Sequence, residues 1–117
     1  MKYALLIYQG NTPLPGSAAW KDMSAAEQQG IYADYKAFNE IPGVEQGLPL
    51  GLPGKAKTVR VREGKPDIRP ETYMAEGVAG YCVVEVEDEE AALSIASRIP
   101  AARLGGAVEV RPIETYW

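Results

Sequence analysis

Two hydrophobic periods alternate along the chain, and their order predicts an architecture. Lys2 to Tyr8, KYALLIY, is apolar on both alternating faces, Tyr3/Leu5/Ile7 and Ala4/Leu6/Tyr8, which predicts a strand in the interior of a sheet. Gly80 to Val86, GYCVVEV, repeats the pattern, with Tyr81/Val83/Glu85 opposite Cys82/Val84/Val86, and is expected to be central as well. In Lys57 to Arg62, Val59 and Val61 alternate with Thr58, Arg60 and Arg62, the signature of a strand with one buried and one wet face. Gly105-Gly106 opens a last strand, Ala107 to Ile113, in which Val108 and Val110 alternate with Glu109 and Arg111. Val44 to Leu50 is a weaker extended segment, interrupted by Gly47 and Pro49.

The other period is helical. Ser24 and Glu27 form a capping box, in which the hydroxyl accepts from an early helical amide and the carboxylate accepts from the cap's own amide. Ile31, Tyr35 and Phe38 then define one buried stripe, which Pro42-Gly43 ends. A second helix is predicted after Asp88, with Glu89 and Glu90 at the positive end of its dipole and Ala92, Ile95, Ala96 and Ile99 on one stripe as far as Pro100. Gly10 to Asp22 and Pro66 to Gly77 fit neither period and are expected to be irregular loops able to carry function.

Strand, helix, three strands, helix, strand is the order of a split βαβ plait with one additional strand in its middle hairpin region. The expected fold is therefore α+β, a ferredoxin-like antiparallel sheet with both helices on one face, in a single domain spanning residues 1–117. Two helices cover one face of such a sheet. The inner strands are apolar on both, so a second copy is expected to cover the other and form a homodimer.

Composition narrows the chemistry. The 46% hydrophobic and 24% charged residues are those of a folded domain, and a net charge of −4 with no run of Lys or Arg argues against a nucleic-acid partner. No stretch approaches the length of a membrane span or of a signal peptide, so a soluble cytoplasmic protein is expected. The lone Cys82 excludes an internal disulfide and is read as a small buried hydrophobe. Histidine is absent, which removes the commonest general base, Ser–His and Cys–His nucleophiles and any Cys/His metal site. The acidic run Glu87 to Glu90 is explained by its place at a helix start, and no glycine-rich phosphate loop joins a strand to a helix. No metal and no cofactor is expected.

Carboxylates, tyrosines and arginines remain. Glu109 and Arg111 share one face of the last strand, and Glu85 lies on the more polar face of its own. In a cleft between two copies, a semi-enclosed carboxylate beside a guanidinium suits proton transfer or the holding of an anion; alternatively the two form a structural ion pair. Arg60 and Arg62 either line that cleft or decorate an edge strand. In the second loop Asp67, Arg69, Glu71, Tyr73 and Glu76 form either a site rim or a hydrated loop. Trp20 is either a lid over a pocket or a plug on the core beneath. The candidate set is Glu109 and Glu76 for proton transfer, with Arg111, Arg60, Asp67, Tyr73 and Trp20 for binding a small organic or anionic ligand.

The segments KYALLIY, YKAFNE (Tyr35 to Glu40), TVRVREGK (Thr58 to Lys65), GYCVVEVEDEEAAL (Gly80 to Leu93) and IPAARLGGAVEVRPI (Ile99 to Ile113) together resemble the YCII-related family in its DGPF-domain branch. The resemblance spans nearly the whole chain, and Glu109 to Pro112 is its most specific part. It implies a dimeric α+β barrel of ferredoxin-like subunits with an active-site cleft near the dimer interface. In that family some members are held to be enzymes on small organic molecules, one relative is linked to dehydrochlorination, and others accompany transcription-related proteins. Two roles follow as expectations: a cofactor-independent lyase- or isomerase-like enzyme, or a non-catalytic ligand-sensing or accessory module. Where the branch carries Asp-Gly-Pro-Phe, this chain reads Asp67-Ile68-Arg69-Pro70-Glu71 and is about two residues shorter. The histidine–aspartate pair of the YCII type has no counterpart here.

Overall fold

The computed structural model describes residues 1–75 and 77–116. In chain order it contains β1 (Lys2–Tyr8), α1 (Ala18–Lys21), α2 (Ala25–Asn39), β2 (Val44–Glu45), a 3-10 turn (Pro53–Lys55), β3 (Thr58–Arg62), β4 (Lys65–Arg69), β5 (Val78–Glu85), α3 (Glu89–Ala96), α4 (Pro100–Arg103) and β6 (Ala107–Pro112). The fold is α+β. Its main sheet has four antiparallel strands in the order β2-β5-β1-β6, the strand order of a ferredoxin-like plait.

The period-two alternation in β1 separates core from surface. Tyr3 and Leu5 are opposite Val84 and Cys82 of β5, and all four are buried; on the other side Leu5 and Ile7 are opposite Val110 and Val108 of β6. This face holds the core, completed by Phe38 of α2, Ala92 and Ala96 of α3, Ile99, and Ala101 of α4. The helices therefore lie on one side of the sheet. The opposite face carries Lys2, Ala4, Leu6 and Tyr8 of β1, Tyr81, Val83 and Glu85 of β5, and Glu109 and Arg111 of β6. Leu6 and Val83 are half-buried and Tyr81 is 42% exposed, on the face opposite the helical residues of the core.

Both main helices begin as their sequences require. The Ser24 hydroxyl accepts from the Glu27 amide at 3.1 Å while the Glu27 carboxylate accepts from the Ser24 amide, and the Asp88 carboxylate accepts from the Ala91 amide at 2.8 Å. Pro100, expected to end the second helix, instead occupies the first position of the separate short helix α4, where its missing N–H costs nothing. Arg103 of α4 pairs with Asp34 of α2 and ties these helices together.

The middle of the chain departs from expectation. The extended segment at 44–50 contributes only the two paired residues of β2 and an isolated bridge from Pro49 to Gly80. The additional strand does not join the main sheet. Residues 66–69, expected to be loop, join Lys65 in β4 and pair with β3 from Thr58↔Arg69 to Arg62↔Lys65, making a separate two-stranded hairpin. Its turn residues Glu63 and Gly64 both have positive φ (51° and 78°), as in the tight turns whose twist matches that of a hairpin. Val59 and Val61, expected to have a buried face, are 60% and 69% exposed, because the hairpin forms a separate two-stranded sheet instead of joining the main one. The hairpin lengthens the molecule. Its radius of gyration is 16.0 Å, where a compact chain of this size has about 13 Å.

Candidate functional site

The site expected on the last strand is built by β6, the edge strand that pairs with β1 and packs its other face on α3 and α4. Register places Glu109 opposite Leu6 and Arg111 opposite Ala4, so both charged side chains rise from the face without helices, beside apolar neighbours. Two residues apart on one strand, they point the same way and meet: Arg111 Nη1 donates to Glu109 Oε2 at 3.5 Å. Their side chains are 68% and 46% exposed, so within one chain the pair is open to water. Further along the same face, Lys2 lies opposite Glu85 and forms a 3.8 Å ion pair with Glu45. The open face is thus an apolar strip of Ala4, Leu6, Tyr81 and Val83 bounded by charged pairs.

The other candidates lie elsewhere. Arg60 is on the hairpin, with its guanidinium carbon 5.7 Å from the centroid of the Tyr73 ring, a cation–π arrangement. Asp67 is held by Arg69, which donates from Nε at 3.1 Å and from Nη2 at 3.3 Å; that bond raises the guanidinium's pKa above its ordinary value. Trp20 is buried, 7% exposed, and its ring meets Tyr32 edge to face at 5.2 Å, while its carbonyl accepts from Gln28 Nε2. It faces inward from α1. Glu76, named with Glu109 for proton transfer, lies outside the described residues. The structure therefore brings Glu109 to Arg111, and Arg60 to Tyr73, on two separate parts of the molecule.

Two concavities lie away from the open sheet face. One of about 260 Å³ is lined by Asp34, Ala37, Phe38, Arg98 and Arg103, and another of about 510 Å³ by residues of α2 together with Gln46. Cys82 lies in the core, where burial pushes its thiol up to about 11 and leaves it without thiolate character near neutral pH. Sequence reasoning did not single out Gln9 and Thr12, whose side-chain oxygens Oε1 and Oγ1 are buried without a hydrogen-bond partner beside the Gly105-Gly106 turn. Nothing in their pattern marks them, because a loop of Gln, Gly, Asn and Thr reads as hydrated. Among the described residues no group of three or more His, Cys, Asp or Glu could hold a metal ion, and no helix is long and apolar enough to cross a membrane.

A four-stranded antiparallel sheet with helices on one face, and a carboxylate–guanidinium pair on the other, defines an α+β domain whose chemistry is sought on the open face. Comparison with known families is consistent with that class. The profile of the YCII-related domain matches residues 1–116, and the chain belongs to that family. No curated protein matches it.

Proposed function

We propose that this chain is a ferredoxin-like subunit of a homodimeric α+β barrel of the DGPF-domain branch, whose open sheet face lines a cleft for a small organic anion. In this reading Arg111 holds the anionic group and Glu109 moves a proton on the adjacent carbon, as in a cofactor-independent lyase or isomerase. The observation that carries the reading is the placing of Glu109 and Arg111 opposite Leu6 and Ala4 on the one sheet face that no helix covers. A second copy laid on that face removes water from the pair. A guanidinium in such a site holds a carboxylate or phosphate through paired N–H donors, and a nearby carboxylate deprived of water gains basicity. Glu109 takes a proton from a carbon next to the bound anion. In an isomerisation it returns that proton to a neighbouring carbon, and in an elimination a leaving group departs from that neighbour with its bonding electrons.

A second reading has its own support. The chain has no histidine, and Asp67-Ile68-Arg69-Pro70-Glu71 stands where the branch carries its Asp-Gly-Pro-Phe motif. A non-catalytic ligand-sensing or accessory module would retain Arg111 for binding and need no general base.

One experiment separates the two. A panel of small organic carboxylates and phosphates is screened by thermal shift, and every hit is incubated with the protein and followed by mass spectrometry. The catalytic reading predicts a hit that is converted by wild type, bound but not converted by Glu109→Gln, and not bound by Arg111→Ala. A hit that Arg111→Ala binds as tightly as wild type contradicts both readings of this site. Binding without conversion in wild type removes the catalytic one.

A further inference from the structure

We infer that the β3–β4 hairpin is an arm that lays its apolar face on the sheet-bearing body of a second copy of this chain. The hairpin is sharply two-sided. Val59 pairs with Ile68 and Val61 with Pro66 on one face, while Arg60, Arg62, Lys65, Asp67 and Arg69 occupy the other or its tip. Val59, Val61 and Ile68 are 60–69% exposed, so the face built from strand-forming aliphatics is the one left in water. Two strands alone are marginal in water, and persistence of this register calls for cover on the apolar face. Leu48, Leu50 and Met74, in the stretches that precede and follow the hairpin in sequence, are exposed as well.

Charge identifies what covers it. Residues 55–71 carry six basic and three acidic side chains, whereas the rest of the chain carries six basic and thirteen acidic ones. A net positive arm is therefore joined to a strongly negative body. Two arms repel each other, while an arm and the body of a second copy attract, so the arm docks on the body and not on its counterpart. Reach permits this: each strand has five residues, a span of about 17 Å, comparable with the width of a four-stranded sheet. The inference relies on the homodimer proposed above for the existence of a second copy, but not on how the two sheet faces meet.

The test uses the full chain. The triple variant Val59→Ser, Val61→Ser, Ile68→Ser should keep the wild-type circular dichroism, since none of these side chains belongs to the core, and weaken the dimer by roughly tenfold or more in sedimentation velocity. Raising the salt concentration should weaken the wild-type dimer in the same assay. A second measurement does not depend on how that variant folds: benzoylphenylalanine in place of Val61 is photolysed in a mixture of isotopically heavy and light protein. Heavy–light crosslinks from position 61 to residues 1–54 or 72–116 are expected. Links exclusively from arm to arm, links confined to one chain, or a triple variant that dimerises as tightly as wild type overturn the inference. The two proposals fail separately. A dimer broken by Leu6→Glu but indifferent to the triple variant keeps the sheet-face reading and removes the arm, and the reverse pattern keeps the arm and removes the sheet face.

Discussion

Leu6 of β1 stands directly opposite Glu109 of β6, whereas its neighbour Leu5 stands opposite Val110. One residue therefore separates the packed core from the candidate site. Leu5 is fully buried against Cys82 and the helices, while Leu6 is half-buried on the face that carries Glu109 and Arg111. This division follows from the period of a strand, and the functional account depends on it.

The division predicts unequal costs for the same substitution. Leu5→Ala leaves a cavity that the surrounding helices cannot fill and should destabilise the fold by about 2–5 kcal/mol in urea unfolding. Under conditions that keep the protein monomeric, Leu6→Ala should cost less than Leu5→Ala, about 1–2 kcal/mol, because Leu6 is half-buried and its truncation opens to solvent instead of leaving an enclosed cavity.

The capping box of α2 gives a second expectation. Ser24→Ala removes the acceptor for the Glu27 amide and the reciprocal arrangement around it. A loss of about 1 kcal/mol is expected, read as a fall of about 4 °C in melting temperature. Ser24→Asp, which retains an acceptor and adds a negative charge at the helix start, should recover most of it.

Alkaline stability should report the buried thiol. Cys82 ordinarily titrates at 9.0 but is pushed up to about 11 by burial in the folded chain. Above pH 9 the unfolded chain releases this proton first and the folded chain keeps it, so the stability contributed by the neutral thiol is full below 9 and is lost as pH rises towards 11. The Tyr3 phenol is also raised, by burial first and then by Glu89 and Asp88, and acts in the same direction. Chemical denaturation at successive pH values should show a decline over this window that is shallower in Cys82→Ala than in wild type.

Much of the sheet and its helices was legible because burial on one face forces a clear period. β1, β5 and β6 alternate over most of their length, with one register shift at Ile7/Tyr8, and the caps at Ser24 and Asp88 carry their own hydrogen-bonding chemistry. The hairpin was not legible for the opposite reason. Pro66 and Pro70 argue against a strand in a continuous sheet, yet a two-stranded ribbon tolerates a proline where no third strand needs its N–H. The alternation of Val59 and Val61 marks a strand, yet both side chains stay exposed in the single chain. Pattern identifies a face that seeks cover without naming what covers it. The same limit applies to the site: the juxtaposition of Glu109 and Arg111 follows from their spacing, whereas the inward turn of Trp20 and the pairing of Arg60 with Tyr73 depend on loop paths that no period encodes.

The central claim is that a second copy covers the strip of Ala4, Leu6, Tyr81 and Val83. Sedimentation equilibrium at micromolar concentration, on wild type and Leu6→Glu side by side, tests it most directly. The account predicts two chain masses for wild type and one for the variant, with the same circular dichroism for both. A wild-type protein that sediments as a single chain, or a Leu6→Glu variant that stays paired, would contradict it.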